Sequence, residues 1–126
     1  MVVIDTHVLL WSQMVPEMLS KNASKSIEDA KVIIVASITL WEIAMLEHKN
    51  RIRLPIPLVD WLKEVCRQPK VRLQEITPDI AALSCALDIH GDPADRLIIA
   101  TAQLLALPLI SADWQIRSSS SAQTIW

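Results

Sequence analysis

Val32-Ile33-Ile34-Val35-Ala36-Ser37-Ile38-Thr39-Leu40-Trp41-Glu42-Ile43-Ala44-Met45-Leu46 sets the fold class of this chain. Its first four residues are β-branched and apolar, the pattern of a strand buried on both faces. Ser37 can cap a helix over Ile38 to Lys49, and Asn50 tolerates the left-handed backbone that ends one. A buried strand running into an apolar helix is one βα unit, and the rest of the chain repeats it. Val2-Val3-Ile4 leads into a helix from Thr6 to Gln13 that stops before Pro16. Val71 to Ile76 leads into a helix opened by Thr77-Pro78-Asp79, which runs to about Ile89 until Gly91 breaks it. Pro108-Leu109-Ile110 and Thr124-Ile125-Trp126 supply a fourth and a fifth strand. Further helices are predicted behind a Ser20 cap to Ala30, over Leu58 to Gln68, and from Ala94 to Leu105 after Asp92-Pro93. Arg51 to Pro57 and Ser118 to Ser121 read as loops. Such alternation predicts a mostly parallel sheet with right-handed crossovers.

Composition narrows the function. At 126 residues, one domain spanning 1–126 is expected, with about two thirds of the unfolded chain's surface buried. A 52% hydrophobic fraction excludes intrinsic disorder, and a net charge of −2 excludes a polycation that coats nucleic acid. One glycine excludes both the P-loop and the dinucleotide fingerprint, which need two or more. Cys66 and Cys85 lack metal-ligand spacing, so neither a zinc site nor a disulfide framework is expected. No secretory signal opens the chain and no apolar run reaches the ~18 residues of a membrane span. The expected address is the cytoplasm.

Four of the fourteen acidic residues do not read as solvated surface. Asp5 ends the first strand, Glu42 sits in a helix that is apolar on nearly every face, and so expected to be buried, with no basic residue one turn away, and Asp113 follows the fourth strand. Asp95 opens the helix leading into that strand. Each has a structural alternative: Asp5, Asp92 and Asp113 can cap helices, Asp92-Pro93-Ala94-Asp95 resembles a capping box, and Glu42 can enter a long-range salt bridge. Their joint placement favours a site. In a parallel sheet the carboxyl ends of strands one, two and four share an edge, where open α/β sheets bind ligands. Carboxylates gathered there repel unless a cation neutralises them, and all-oxygen ligands select a hard ion, Mg²⁺ or Mn²⁺.

Ile4-Asp5-Thr6-His7, Leu40-Trp41-Glu42-Ile43-Ala44, Leu109-Ile110-Ser111-Ala112-Asp113 and the segment from Gly91 to Ala102 together resemble the PIN-domain family. Within it the chain is most similar to the VapC-type toxins of toxin–antitoxin pairs. That resemblance implies a three-layer α/β/α fold with a short sheet of four to five strands. It also implies a metal-dependent endoribonuclease, usually homodimeric and held inactive by a cognate antitoxin. Carried over residue by residue, the catalytic and metal-binding acids fall on Asp5, Glu42, Asp95 and Asp113. Thr6 and Ser111 match hydroxyl positions that support the site, and Asp92 is either a fifth acid or a cap. Because the cleft is acidic, RNA attraction is expected from the metal and from Lys49, Arg51, Arg53 and Arg96 at its rim. Two alternatives stay open: a metal-dependent phosphatase or phosphoacceptor domain using Asp5, and a PIN-like binding module without turnover.

Overall fold

A computed structural model describes residues 1–89, 91–119 and 121–126. It contains β1 (Val2–Ile4), α1 (Thr6–Met14), α2 (Lys21–Asp29), β2 (Ile33–Ala36), α3 (Ser37–His48), α4 (Leu58–Arg67) and β3 (Val71–Gln74). These are followed by α5 (Pro78–Ala86), α6 (Pro93–Leu105), β4 (Leu109–Ile110), α7 (Trp114–Ser118) and β5 (Thr124–Ile125). A single 3₁₀ turn at Pro16–Met18 follows α1. The five strands form one sheet in the order β3-β2-β1-β4-β5, and every pairing is parallel. The order reverses at β1, because the chain adds β2 on one side of it and β4 on the other. That switch point opens a crevice at the carboxyl ends of the central strands.

Period-two alternation builds the three layers. Val2 and Ile4 of β1, Ile33 and Val35 of β2 and Ile110 of β4 enter one core with Val8, Leu9, Ile43, Trp61 and Val65. Val3, Ile34, Ala36 and Leu109 point the other way, into Ile80, Ile98, Ile99 and Ile116. The central strands are therefore apolar on both faces, as their sequences predict. Each fully buried Ile or Leu contributes roughly 1.5–3 kcal/mol relative to exposure.

Local signals hold at most helix ends. Ser20 and Thr77 accept from Ala23 N and Ile80 N at 3.0 and 3.2 Å. With the single glycine at position 91, the left-handed helix ends fall on Asn50, as expected, and on Ala106. Three expectations need correction. Ser37 does not cap α3 but begins it, after Ala36 and without a side-chain cap. That helix is not buried on every side either: Thr39 and Ile43 are buried whereas Trp41 is exposed. Helix α5 ends at Ala86 rather than near Ile89, because the guanidinium of Arg96 captures the carbonyls there. In the serine run, Ser118 closes α7 and Ser119 is extended, while Ser120 lies outside the described residues.

Candidate active site

The acids are placed by backbone chemistry at strand ends and helix starts. Asp5 continues β1 by donating its N–H to Ile110 O at 3.2 Å, and its carboxylate caps α1 by accepting from Val8 N at 2.8 Å. Asp92 caps α6 by accepting from Asp95 N at 2.8 Å. Asp113 caps α7, accepting from Gln115 N and Ile116 N at 2.8 and 3.2 Å. The cap and the site are thus not alternatives. A cap of this kind engages Oδ1 of Asp92 and of Asp113, and Oδ2 of each makes no hydrogen bond among the described residues.

Glu42 is half-buried on α3, one and a half turns from its start. The Thr6 hydroxyl donates to its carboxylate, at the first position of α1. Thr39 Oγ1 lies 3.3 Å from Thr6 Oγ1. Thr6 has one proton and gives it to Glu42, so Thr39 is the donor of that second bond. Ser111, fully buried, accepts from Asp113 N at 3.1 Å and hydrogen-bonds the Asp5 carboxylate. Thr6 and Ser111 therefore tie the acids of neighbouring elements to one another.

These side chains enclose a cleft of about 290 Å³ at the carboxyl edge of the sheet, lined by Asp5, Thr6, His7, Glu42, Asp92, Asp95, Ala112 and Asp113. Four predicted acids line it together, and Asp92 joins them. Carboxylate oxygens of Glu42, Asp92 and Asp95 lie within 4.8 Å of one another. Among the described residues no Lys or Arg lines the cleft, and the one ion pair, Lys25–Asp29, is on exposed α2. Unneutralised acids at this spacing resist ionisation. Burial raises the Asp5 carboxyl above its ordinary range, against the hydrogen bonds from Ser111 and Val8. Burial also raises Glu42, opposed by Thr6 and reinforced by Asp92. Asp95 is pushed up to about 7 by burial, then by Asp92, Glu42, Asp113 and Asp5. A carboxylate cluster with no Lys or Arg among the described residues lining its cleft has the donor chemistry of a hard divalent cation.

A pH dependence follows. Between the ordinary Asp pKa of 3.8 and about 7, folded Asp95 binds a proton that the unfolded chain has lost. Metal-free stability is therefore expected to fall as pH rises through that window. A melting temperature in chelator that is lower at pH 8 than at pH 5 is the expected result; a rise would contradict the cluster's electrostatics.

The predicted cations lie elsewhere. Lys49, Arg51 and Arg53 follow the far end of α3, and Lys49 is about 10 Å along the helix axis from Glu42. Arg51 and Arg53 line a separate polar cavity with Glu47 and Asn50. Arg96 is not at the rim. Its guanidinium donates to the carbonyls of Ser84, Ile89 and Leu87 at 3.0, 2.5 and 2.8 Å, and to Cys85 O at 3.4 Å. Helix α5 has no basic residue in its own last turn, so Arg96 of the next helix satisfies its free carbonyls. Sequence reasoning passes over His7, which lines the cleft with its ring 5.9 Å from Trp11. Its position beside a strand-end acid is the available signal.

Known proteins resemble this architecture. The family model for the PIN domain matches residues 2–119. Ribonuclease VapC22 of Mycobacterium tuberculosis is 40% identical over 129 aligned residues, covering 99% of this chain and 98% of that one. Among solved structures, VapBC2 from Rickettsia felis, bound to a promoter DNA fragment, matches with a TM-score of 0.69 at 12% identity, covering 97% of this chain and 95% of that one. A toxin-antitoxin complex from Klebsiella pneumoniae matches with a TM-score of 0.67 at 21% identity, again covering 97% and 95%. At these identities the structural likeness speaks for the fold.

Proposed function

The chain belongs to the PIN-domain family, and from that footing we propose that residues 1–126 act as one domain, a metal-dependent endoribonuclease serving as the toxin of a type II toxin–antitoxin pair. One observation carries the reading: five carboxylates converge on one cleft at the topological switch of a parallel sheet, with no Lys or Arg among the described residues lining it. The ribonuclease name of the 40%-identical relative supports the choice of RNA as substrate.

Asp5, Glu42, Asp95 and Asp113 would hold the ion, Mg²⁺ or Mn²⁺, together with Asp92, whose carboxylate lies within 4.8 Å of those of Glu42 and Asp95. When bound, such an ion supplies Lewis acidity and lowers the pKa of a coordinated water. The protein's own part is positioning. Capping bonds lock Asp5, Asp92 and Asp113 to rigid helix starts, and Thr6 and Ser111 orient Glu42 and Asp5. A phosphoacceptor role for Asp5 lacks the lysine such chemistry uses, since none of the described residues lining the cleft is one.

An antitoxin is the proposed protein partner, in line with the toxin–antitoxin complexes among the structural matches. A homodimer and a cytoplasmic address complete the proposal. No helix among the described residues is long and apolar enough to cross a membrane. The experiment is incubation of the purified chain with RNA in Mg²⁺ or Mn²⁺. Cleavage is expected, lost on EDTA and restored by excess ion, from a protein that light scattering sizes as a dimer. Cleavage indifferent to chelation would refute the mechanism, and a monomer at micromolar concentration would refute the assembly.

A further inference from the structure

The chain has five tryptophans. Trp61 is buried, and the rings of Trp11 and Trp126 lie 5.8 Å apart. The remaining two, Trp41 and Trp114, are 57% and 74% exposed, and each is the sequence neighbour of a cleft acid, Glu42 or Asp113. Core packing accounts for neither. Trp41 borders a second cavity. With Ile38, Met45, Pro93 and Ala94 it walls a predominantly apolar space of about 470 Å³ that shares Glu42 and Asp92 with the acidic cleft.

We propose that Trp41 is a stacking platform for an unpaired base of the RNA strand, next to the phosphodiester held at the acids. The proposal rests on the nuclease reading above and deepens it. A base is one sugar away from its phosphate, so a nucleotide whose phosphate reaches the carboxylates has its base within reach of an adjoining wall. The wall that shares two of those acids is the Trp41 cavity. The strand also needs a grip that does not depend on charge. Net charge is −2, Arg96 is spent on backbone carbonyls, and Lys49, Arg51 and Arg53 do not line the acidic cleft. Stacking on an indole face supplies such a grip for any base, and only for bases free of a duplex. Trp41 is thus a positioning residue that acts through the substrate's flank.

The test uses the full chain with Mn²⁺ and a single-stranded oligoribonucleotide cut at one bond. Two further substrates carry an abasic residue on either side of that bond in turn. Trp41→Ala is expected to lower kcat/KM about 5- to 150-fold, mainly through KM, whereas Trp41→Phe stays within about threefold of wild type. One abasic substrate should cost the wild type a similar factor and cost Trp41→Ala almost nothing more, the coupling that a direct contact produces. Because Trp41 is largely exposed, the variants should melt close to wild type, and the Phe variant keeps the test valid if Ala does not fold. Trp41→Ala cutting as well as wild type, or no coupling at either flanking position, overturns the platform and leaves the nuclease standing. The first outcome, joined to lost binding of a protein partner, would mark the cavity as a protein dock. A wild type that cuts no RNA with either ion removes the nuclease reading, and the platform falls with it.

Discussion

Asp5→Asn and Glu42→Gln are each expected to reduce RNA cleavage by about 10²-fold or more while leaving the metal-free protein as stable as wild type, or more stable. Burial raises both carboxyls, so the fold already favours their uncharged forms, and an amide resembles those forms in shape. The amides also keep the local bonds. An asparagine in place of Asp5 still accepts from Val8 N as a cap, and its NH₂ can donate to the Ser111 hydroxyl. A glutamine in place of Glu42 still accepts from Thr6. In chelator the melting temperatures should fall within about 2 °C of wild type or above it. The Mg²⁺-dependent rise in melting temperature should disappear, because only a ligand bound to the native state produces it. Variants that are markedly less stable without metal, yet still cut RNA, would make these acids structural and remove the nuclease assignment.

Arg96→Ala should do the reverse. Four carbonyls at the end of α5 and in the segment after it receive the guanidinium, three of them at 3.0 Å or less. Hydrogen bonds to a charged group contribute about 1.5–3 kcal/mol each, and they are not additive, so a loss of roughly 3 kcal/mol or more is expected on denaturant unfolding. Arg96→Lys should recover only a fraction. A single ammonium lacks the planar fork that reaches carbonyls spread from Ser84 to Ile89. Below the variant's melting transition, the KM for RNA should stay within about threefold of wild type. Unchanged stability with a sharply raised KM would return Arg96 to the role its sequence position suggested, a contact to RNA phosphate.

Arg96 shows what kind of signal a sequence does not carry. Four carbonyls select it, and they become neighbours only when α5 turns back onto α6. Nothing within four residues of position 96 announces them, and a lone Arg beside an acid reads as a rim cation. Asp92 is the complementary case. Its capping role was legible in Asp92-Pro93-Ala94-Asp95, but its approach to within 4.8 Å of Glu42 and Asp95 depends on how α6 packs against α3. Exposure of Trp41 was equally hidden. An apolar helix sequence does not say which of its faces meets the sheet and which is left to solvent.

What was legible is what short-range physics encodes. β-branched runs of three or four residues, helix caps at Ser20, Thr77 and Asp92, and the left-handed stop at Asn50 are settled within about one helical turn of chain. They were enough for the α/β class, for the chain order of the main elements and for strand-end placement of Asp5 and Asp113. The parallel sheet then implied that those ends share an edge, and the acids do line one cleft. The strand order β3-β2-β1-β4-β5, the early end of α5, the gathering of the capping acids in one cleft and the apolar cavity beside it were settled by packing between segments far apart in sequence. Their energies belong to pairs of segments, and a pair has no fixed spacing along the chain to be recognised by.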